Sequence, residues 1–192
     1  MSEPVSALNG ASWSDGIATV RECGLQGMIT LRGDLSNAKV KKAVKSVMGV
    51  AVPETNTAKM AEARGVCWMS PDELLLLCPY EAVSADLEQL KKALGDAHAL
   101  AVDVSDARAV FQLTGNHVRD VLSKLTPADL SPAAFPVGAF RRSRLAQAAG
   151  AFWMRDATTF EIICFHSVAQ YMFDLLTVAA QEGSEVNYFT RG

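Results

Sequence analysis

An alternating run that stops on glycine and leads into an apolar-periodic helix occurs twice in this chain, and that recurrence narrows the fold more than any other feature. The clearer copy is Val102-Asp103-Val104-Ser105-Asp106-Ala107-Arg108-Ala109-Val110-Phe111-Gln112-Leu113-Thr114-Gly115. An acidic, hydroxyl-bearing corner opens it and glycine closes it. The helix that follows, from Asn116, carries Val118, Val121, Leu122 and Leu125 on one face. The earlier copy is Gly27-Met28-Ile29-Thr30-Leu31-Arg32-Gly33, before a helix from about Ser36. There Val40, Ala43, Val44 and Val47 fall at i, i+3, i+4 and i+7, while Lys39, Lys41, Lys42 and Lys45 take the other faces as a solvated surface.

Laid over each other, the two parts match at several points. Leu31-x-Gly33 falls on Leu113-x-Gly115, Trp68 on Trp153, Cys78 on Cys164, and Leu87 and Leu90 on Phe173 and Leu176. The first half reads strand–strand–helix–strand–strand–helix. The second shows one clear strand before its first helix and an extra strand after it. The expected class is α+β: two pseudo-repeated halves whose mostly antiparallel sheets are covered by helices. The boundaries read as an irregular leader over 1–15, one domain over 16–181 with halves 16–98 and 99–181, and a mobile tail over 182–192.

Local signals fill in the frame. Ile17 to Glu22 and Gln26 to Arg32 flank Cys23-Gly24 and suggest a hairpin. Met48 to Ala61 reads as a loop. Ala63 to Met69 is a strand, Ser70-Pro71-Asp72-Glu73 a turn, and Leu74 to Cys78 an apolar run fit for a strand buried on both faces. The next helix ends at Gly95. Three prolines make 126–138 a connection, and Ala139 to Ala148 a strand bearing Arg141, Arg142 and Arg144. Ala151 to Met154 and Phe160 to Phe165 complete the strands. Ser167 caps a last helix whose apolar residues spread around most of its circumference, as on a helix deeply buried or covered by another chain.

Composition sets limits on function. Of 192 residues, 49% are hydrophobic and the net charge is −3, so nothing favours nucleic acid or an anionic membrane as partner. No run nears the roughly 18 apolar residues of a membrane span, and Met1-Ser2-Glu3-Pro4 does not read as a secretory signal. The four cysteines form no C-x-x-C pair and read as buried thiols of a soluble cytoplasmic protein.

Catalytic signals are few. His98, His117 and His166 have no metal-like partner at i+3 or i+4, and no G-x-S-x-G, P-loop or G-x-G-x-x-G occurs. No catalytic residue, metal ligand or resident cofactor is assigned. Asp103 is the best single carboxylate, at a strand–turn junction. Its leading role is to hold an Asx-type corner with Ser105, and an acid, a base or an amine-binding anion is the alternative. Arg142 and Arg144 share a strand face that could bind a polyglutamate, phosphate or carboxylate, with Arg141 on the other face; ion pairs to an acidic subunit are the alternative. Trp68 and Trp153 read as equivalent core residues of the two halves.

Several segments together resemble the sarcosine oxidase gamma subunit family. They are Trp68-Met69-Ser70-Pro71-Asp72-Glu73-Leu74-Leu75, Val102 to Arg108 running to Leu113-Thr114-Gly115, Ala134-Phe135-Pro136, Arg142-Ser143-x-Leu145-Ala146, and Ser167-x-Ala169-x-Tyr171. The resemblance spans roughly residues 15 to 180, and His166 departs from it where the family has a basic arginine. It implies a fold like that of the folate-binding aminomethyltransferases of the glycine cleavage T-protein type. It also implies a structural role in a heterotetramer with alpha, beta and delta subunits. That complex demethylates sarcosine to glycine with release of hydrogen peroxide and passes the one-carbon unit to tetrahydrofolate. FAD, FMN, NAD, tetrahydrofolate and zinc are expected on the partner subunits. The other function considered is a stand-alone folate-dependent one-carbon transfer protein, with Asp103 near pterin or amine and the arginines on the glutamate tail.

Overall fold

The computed structural model describes residues 3–188. In chain order, β1 is Ser12–Trp13, β2 Thr19–Glu22 and β3 Gly27–Gly33, followed by α1 at Ala38–Met48. Then come β4 at Ala58–Ala61, β5 at Arg64–Ser70, β6 at Glu73–Cys78 and α2 at Val83–Leu94. The second part runs β7 at Ala99–Asp103, β8 at Arg108–Thr114, α3 at Val118–Ser123, β9 at Phe140–Leu145, β10 at Ala148–Asp156, β11 at Thr159–Phe165 and α4 at Ala169–Ala179. All strand pairs are antiparallel, in two sheets. The chain divides into one unit of residues 26–105 and another made of 1–25 with 106–192.

The 26–105 unit holds the sheet β4-β5-β6-β3-β7. Its core joins Ile29 and Leu31 of β3 and Leu74, Leu76 and Cys78 of β6 to the apolar stripe of α1 (Val40, Ala43, Val44, Met48) and to Leu90 and Leu94 of α2. Every residue of β6 is buried, as its continuous apolar run requires. The four lysines of α1 are exposed. Asn37, not Ser36, caps α1, its side chain accepting the Lys39 N–H at 2.8 Å. Ser36 instead closes a turn on Asp34, to which its N–H and hydroxyl both donate, at 2.8 and 2.6 Å.

The other unit holds β1-β2-β8-β11-β10-β9. Phe111, Leu113, Phe152, Met154, Phe160 and Ile162 pack there with Val118 to Leu122 of α3 and with Met172 and Leu176 of α4. The connection over 126–138 is fastened by Arg119, which donates to the Leu130 carbonyl at 2.5 Å and to the Met154 sulfur at 2.8 Å. Lys124 Nζ donates to the last turn of α4 at Ala179 (2.7 Å) and to Ser184, and the Asn187 N–H reaches Asp120 at 3.2 Å. The tail expected over 182–192 is thus tied down as far as 187, and residues 189–192 lie outside the described residues.

The repeat is real and fuller than expected. The order β4-β5-β6-β3-β7 has the same plan as β9-β10-β11-β8-β2, so each half is strand–strand–helix–three strands–helix. The Gly33 N–H donates to the Asp72 carbonyl and the Gly115 N–H to the Thr158 carbonyl, both at 2.9 Å. Two expectations are corrected. Residues 17–22 and 26–32 form no hairpin: β2 pairs with β8 and β1, while β3 pairs with β6 and β7. The leading strand of each half therefore joins the sheet built on the other half's strands, so the compact units divide at 25/26 and 105/106 although the repeated order of elements turns over between α2 and β7. The leader over 1–15 is likewise part of a sheet at Ser12–Trp13.

The tryptophans are not equivalent. Trp68 lies opposite Leu74, just before the β-bulge of its strand pair, and Met154 lies opposite Phe160 at the matching bulge. Trp68 corresponds to Met154, and both pack on their cores. Trp153, one residue out of step, points to the other face of its sheet, where it is 2% exposed and stacks on Phe140 at 6.2 Å.

Two outcomes follow. Gly115 has φ +146°, and an added Cβ would sit 3.2 Å from Ala18 Cα and Ile17 O. Gly115→Ala is expected to cost about 2–3 kcal/mol in urea unfolding, while Gly49→Ala, with φ +70° and open space around it, costs about 1 kcal/mol. Equal losses would contradict the close approach. Separately, Ser36 donors hold the Asp34 carboxyl below its ordinary range and Ser131 donors do the same for Asp129. A depressed carboxylate stabilises the fold above its unfolded value, about 3.9, and loses that contribution as pH falls through its lower folded value. Replacing both by asparagine should make the fall of the urea midpoint below about pH 4 shallower. An unchanged acid limb would count against these turns.

Candidate functional site

The sequence candidates fall in different places. Asp103 ends β7 in the 26–105 unit. Its Oδ1 accepts the Ser105 N–H at 2.9 Å and the Ser105 hydroxyl at 2.6 Å, and Ser105 Oγ in turn accepts the Met28 N–H at 2.9 Å. This is an Asx corner that locks the end of β7 to the start of β3. The carboxylate also borders an open groove of about 460 Å³ between α2 and β7, lined by Leu87, Lys91, Leu94, Ala99 and Ala101 among others. Asp103 thereby combines a structural oxygen with an exposed position. The groove itself is mostly apolar, and periodicity did not signal it, because it lies beside the backbone of a strand edge.

Arg142 and Arg144 are exposed side by side on β9, the last strand of its sheet, opposite Ala151 and Ala149. Arg141 lies on the other face, its guanidinium 5.9 Å from the Phe135 ring centroid. Arg142 and Arg144 thus share one exposed face of the strand, and Arg141 packs on the Phe135 ring from the other.

Five buried carboxylates among the described residues, Glu22, Glu73, Asp86, Asp120 and Glu161, lie outside the sequence candidates, each within a regular element. Glu22 is 2% exposed and its Oε2 accepts from the Ser6 hydroxyl at 3.0 Å and the Gly10 N–H at 2.7 Å. Asp86 is ion-paired with Arg64. Burial pushes the thiols of Cys23, Cys78 and Cys164 up to about 12, with the Glu161 and Asp86 carboxylates adding to the rise at Cys23 and Cys78 respectively. Among the described residues no group of three or more His, Cys, Asp and Glu is arranged to hold a metal, and no helix is long and apolar enough to cross a membrane.

A fold of two such repeats, without a cofactor fingerprint, can be compared directly with known proteins. The sarcosine oxidase gamma subunit family matches residues 32–182. The chain belongs to that family.

Its relatives agree over most of their length. The sarcosine oxidase subunit gamma of Corynebacterium sp. (strain P-1) is 31% identical over 142 residues, 73% of this chain and 69% of that protein. The protein of the same name from Corynebacterium sp. (strain U-96) is 30% identical over 168 residues, 86% of this chain and 80% of that one. Among solved structures, a chain of the heterotetrameric sarcosine oxidase from Corynebacterium sp. U-96, in complex with pyrrole 2-carboxylate, superposes with TM-score 0.78 at 27% identity. The match covers 87% of this gamma-family chain and 85% of that one. Aminomethyltransferase T of the glycine cleavage system from Bartonella henselae shares the fold, with TM-score 0.59 at 14% identity over 82% of this chain and 45% of that one.

With thiol values near 12, native protein at pH 8 should react with less than about one equivalent of a thiol reagent in the time that guanidinium-unfolded protein reacts with all four. Rapid native labelling at the half-buried Cys23 would contradict its raised thiol value.

Proposed function

We propose that this chain is the gamma subunit of a heterotetrameric sarcosine oxidase and that its work is assembly. The observation that carries the reading is the alignment of nearly the whole chain with a chain of the Corynebacterium heterotetramer. The partners would be alpha, beta and delta subunits in the cytoplasm. Those chains would hold FAD, FMN, NAD, tetrahydrofolate and zinc, oxidatively demethylate sarcosine to glycine with release of hydrogen peroxide, and pass the one-carbon unit to tetrahydrofolate.

The surface supports docking. On α4, Ala169, Met172, Leu176 and Ala179 are buried, yet Tyr171 and Val178 are 42% and 62% exposed. With the half-buried Leu175 they fall at i, i+4 and i+7, an apolar stripe on the outer side of the helix. This is the face that made the helix read as one covered by another chain. Arg142 and Arg144 add positive charge at a sheet edge.

The test is affinity capture of the tagged chain from its own cells grown on sarcosine. A yellow eluate with three companion chains and sarcosine-dependent peroxide is expected. A colourless single chain that binds tetrahydrofolate would overturn the assembly reading.

A further inference from the structure

The repeat shows what covers one strand edge and leaves its counterpart open. Superposing the halves on Leu31 and Leu113 places Val20 on Ala101 and Glu22 on Asp103. In the unit that contains β2, an extended stretch of the chain lies along the outer edge of that strand. Trp13 pairs with Val20 and packs on the core, the Glu22 N–H donates to the Ala11 carbonyl at 2.8 Å, and the Glu22 carboxylate accepts from Ser6 and Gly10. Glu22 is consequently 2% exposed.

Asp103 stands at the same position of β7 and is exposed. Among the described residues β7 pairs only with β3. The Val104 N–H donates to the Met28 carbonyl, so by antiparallel alternation the N–H and C=O groups of Ala99, Ala101 and Asp103 point away from β3. Beside them runs the groove against α2, with the small Ala101 where the other half has Val20. Its charged residues are Lys91 and Asp103.

We propose that the β7 edge is the seat of an extended segment of another polypeptide chain of the oxidase, added as a further strand. The segment places a large apolar side chain in the groove opposite Ala101, as Trp13 sits opposite Val20. Its carbonyl accepts the Asp103 N–H, and an N–H or hydroxyl donates to the Asp103 carboxylate, as at Glu22. An acidic side chain meets Lys91. The inference rests on the subunit reading above.

Hydrogen–deuterium exchange of residues 99–103 tests it, in the isolated chain and in the assembled complex. Protection in the complex should slow exchange at least about tenfold, and Lys91→Glu should weaken assembly about fivefold while Lys92→Glu changes it less than twofold. A complex that forms with residues 99–103 exchanging as before, or that is indifferent to Lys91→Glu, overturns the seat and leaves the subunit reading standing. Protection that rises with the concentration of the isolated chain assigns the edge to a second copy and overturns the heterologous partner. Failure of any complex to form removes the subunit reading and this seat together.

Discussion

The reciprocal pairing of β2 with β8 and of β7 with β3 is the constraint on which the other features depend. Each sheet takes its core strands and helices from one half and the leading strand of the other, β7 at the edge of one sheet and β2, flanked by β1, in the other. The sheet of the 26–105 unit takes in the leading strand of the second half and closes within a contiguous stretch, whereas the other sheet needs residues 12–22 as well as 108–165. The glycines at the strand ends belong to the same arrangement. Gly33 and Gly115 sit where the exchanged strand passes, against His98–Ala99 and Ile17–Ala18 respectively, with no room for a side chain. The Asp103–Ser105 corner holds the end of one exchanged strand to Met28 of β3.

That exchange explains which parts of the fold could be read from sequence. Hydrophobic periodicity is local, so it located the helices, the buried β6 run and the matching of Cys78 with Cys164. Pairing between strands distant in sequence leaves no local mark. Residues 17–32 therefore looked like a hairpin, although their two strands belong to different sheets. The short β4 was hidden because Lys59, Met60 and Ala61 are exposed, leaving no alternation to detect. The tryptophans mislead for a different reason: an alignment on residue type alone paired Trp68 with Trp153, and a one-residue error in a strand reverses the face.

The candidate residues were legible in part. Asp103 stood out as a carboxylate at a strand–turn junction, and its Asx role with Ser105 is what the geometry shows. The shared face of Arg142 and Arg144 follows from strand alternation. The apolar excess of α4 was visible as well, although only the fold separates its core side from the Tyr171, Leu175 and Val178 side. The groove beside β7 was not legible, because a strand edge is defined by missing backbone partners, which side-chain sequence does not encode. On the proposed assembly role these surfaces share one purpose, as places where a partner chain docks.

The central claim is that this chain contributes assembly instead of chemistry. The most direct measurement compares the purified oxidase produced with and without it, by native mass and by sarcosine turnover per flavin. The account predicts that the remaining subunits keep their flavin and their turnover per flavin while the complex loses cohesion and falls apart on dilution. An intact, stable complex that has lost only transfer of the one-carbon unit to tetrahydrofolate would contradict it.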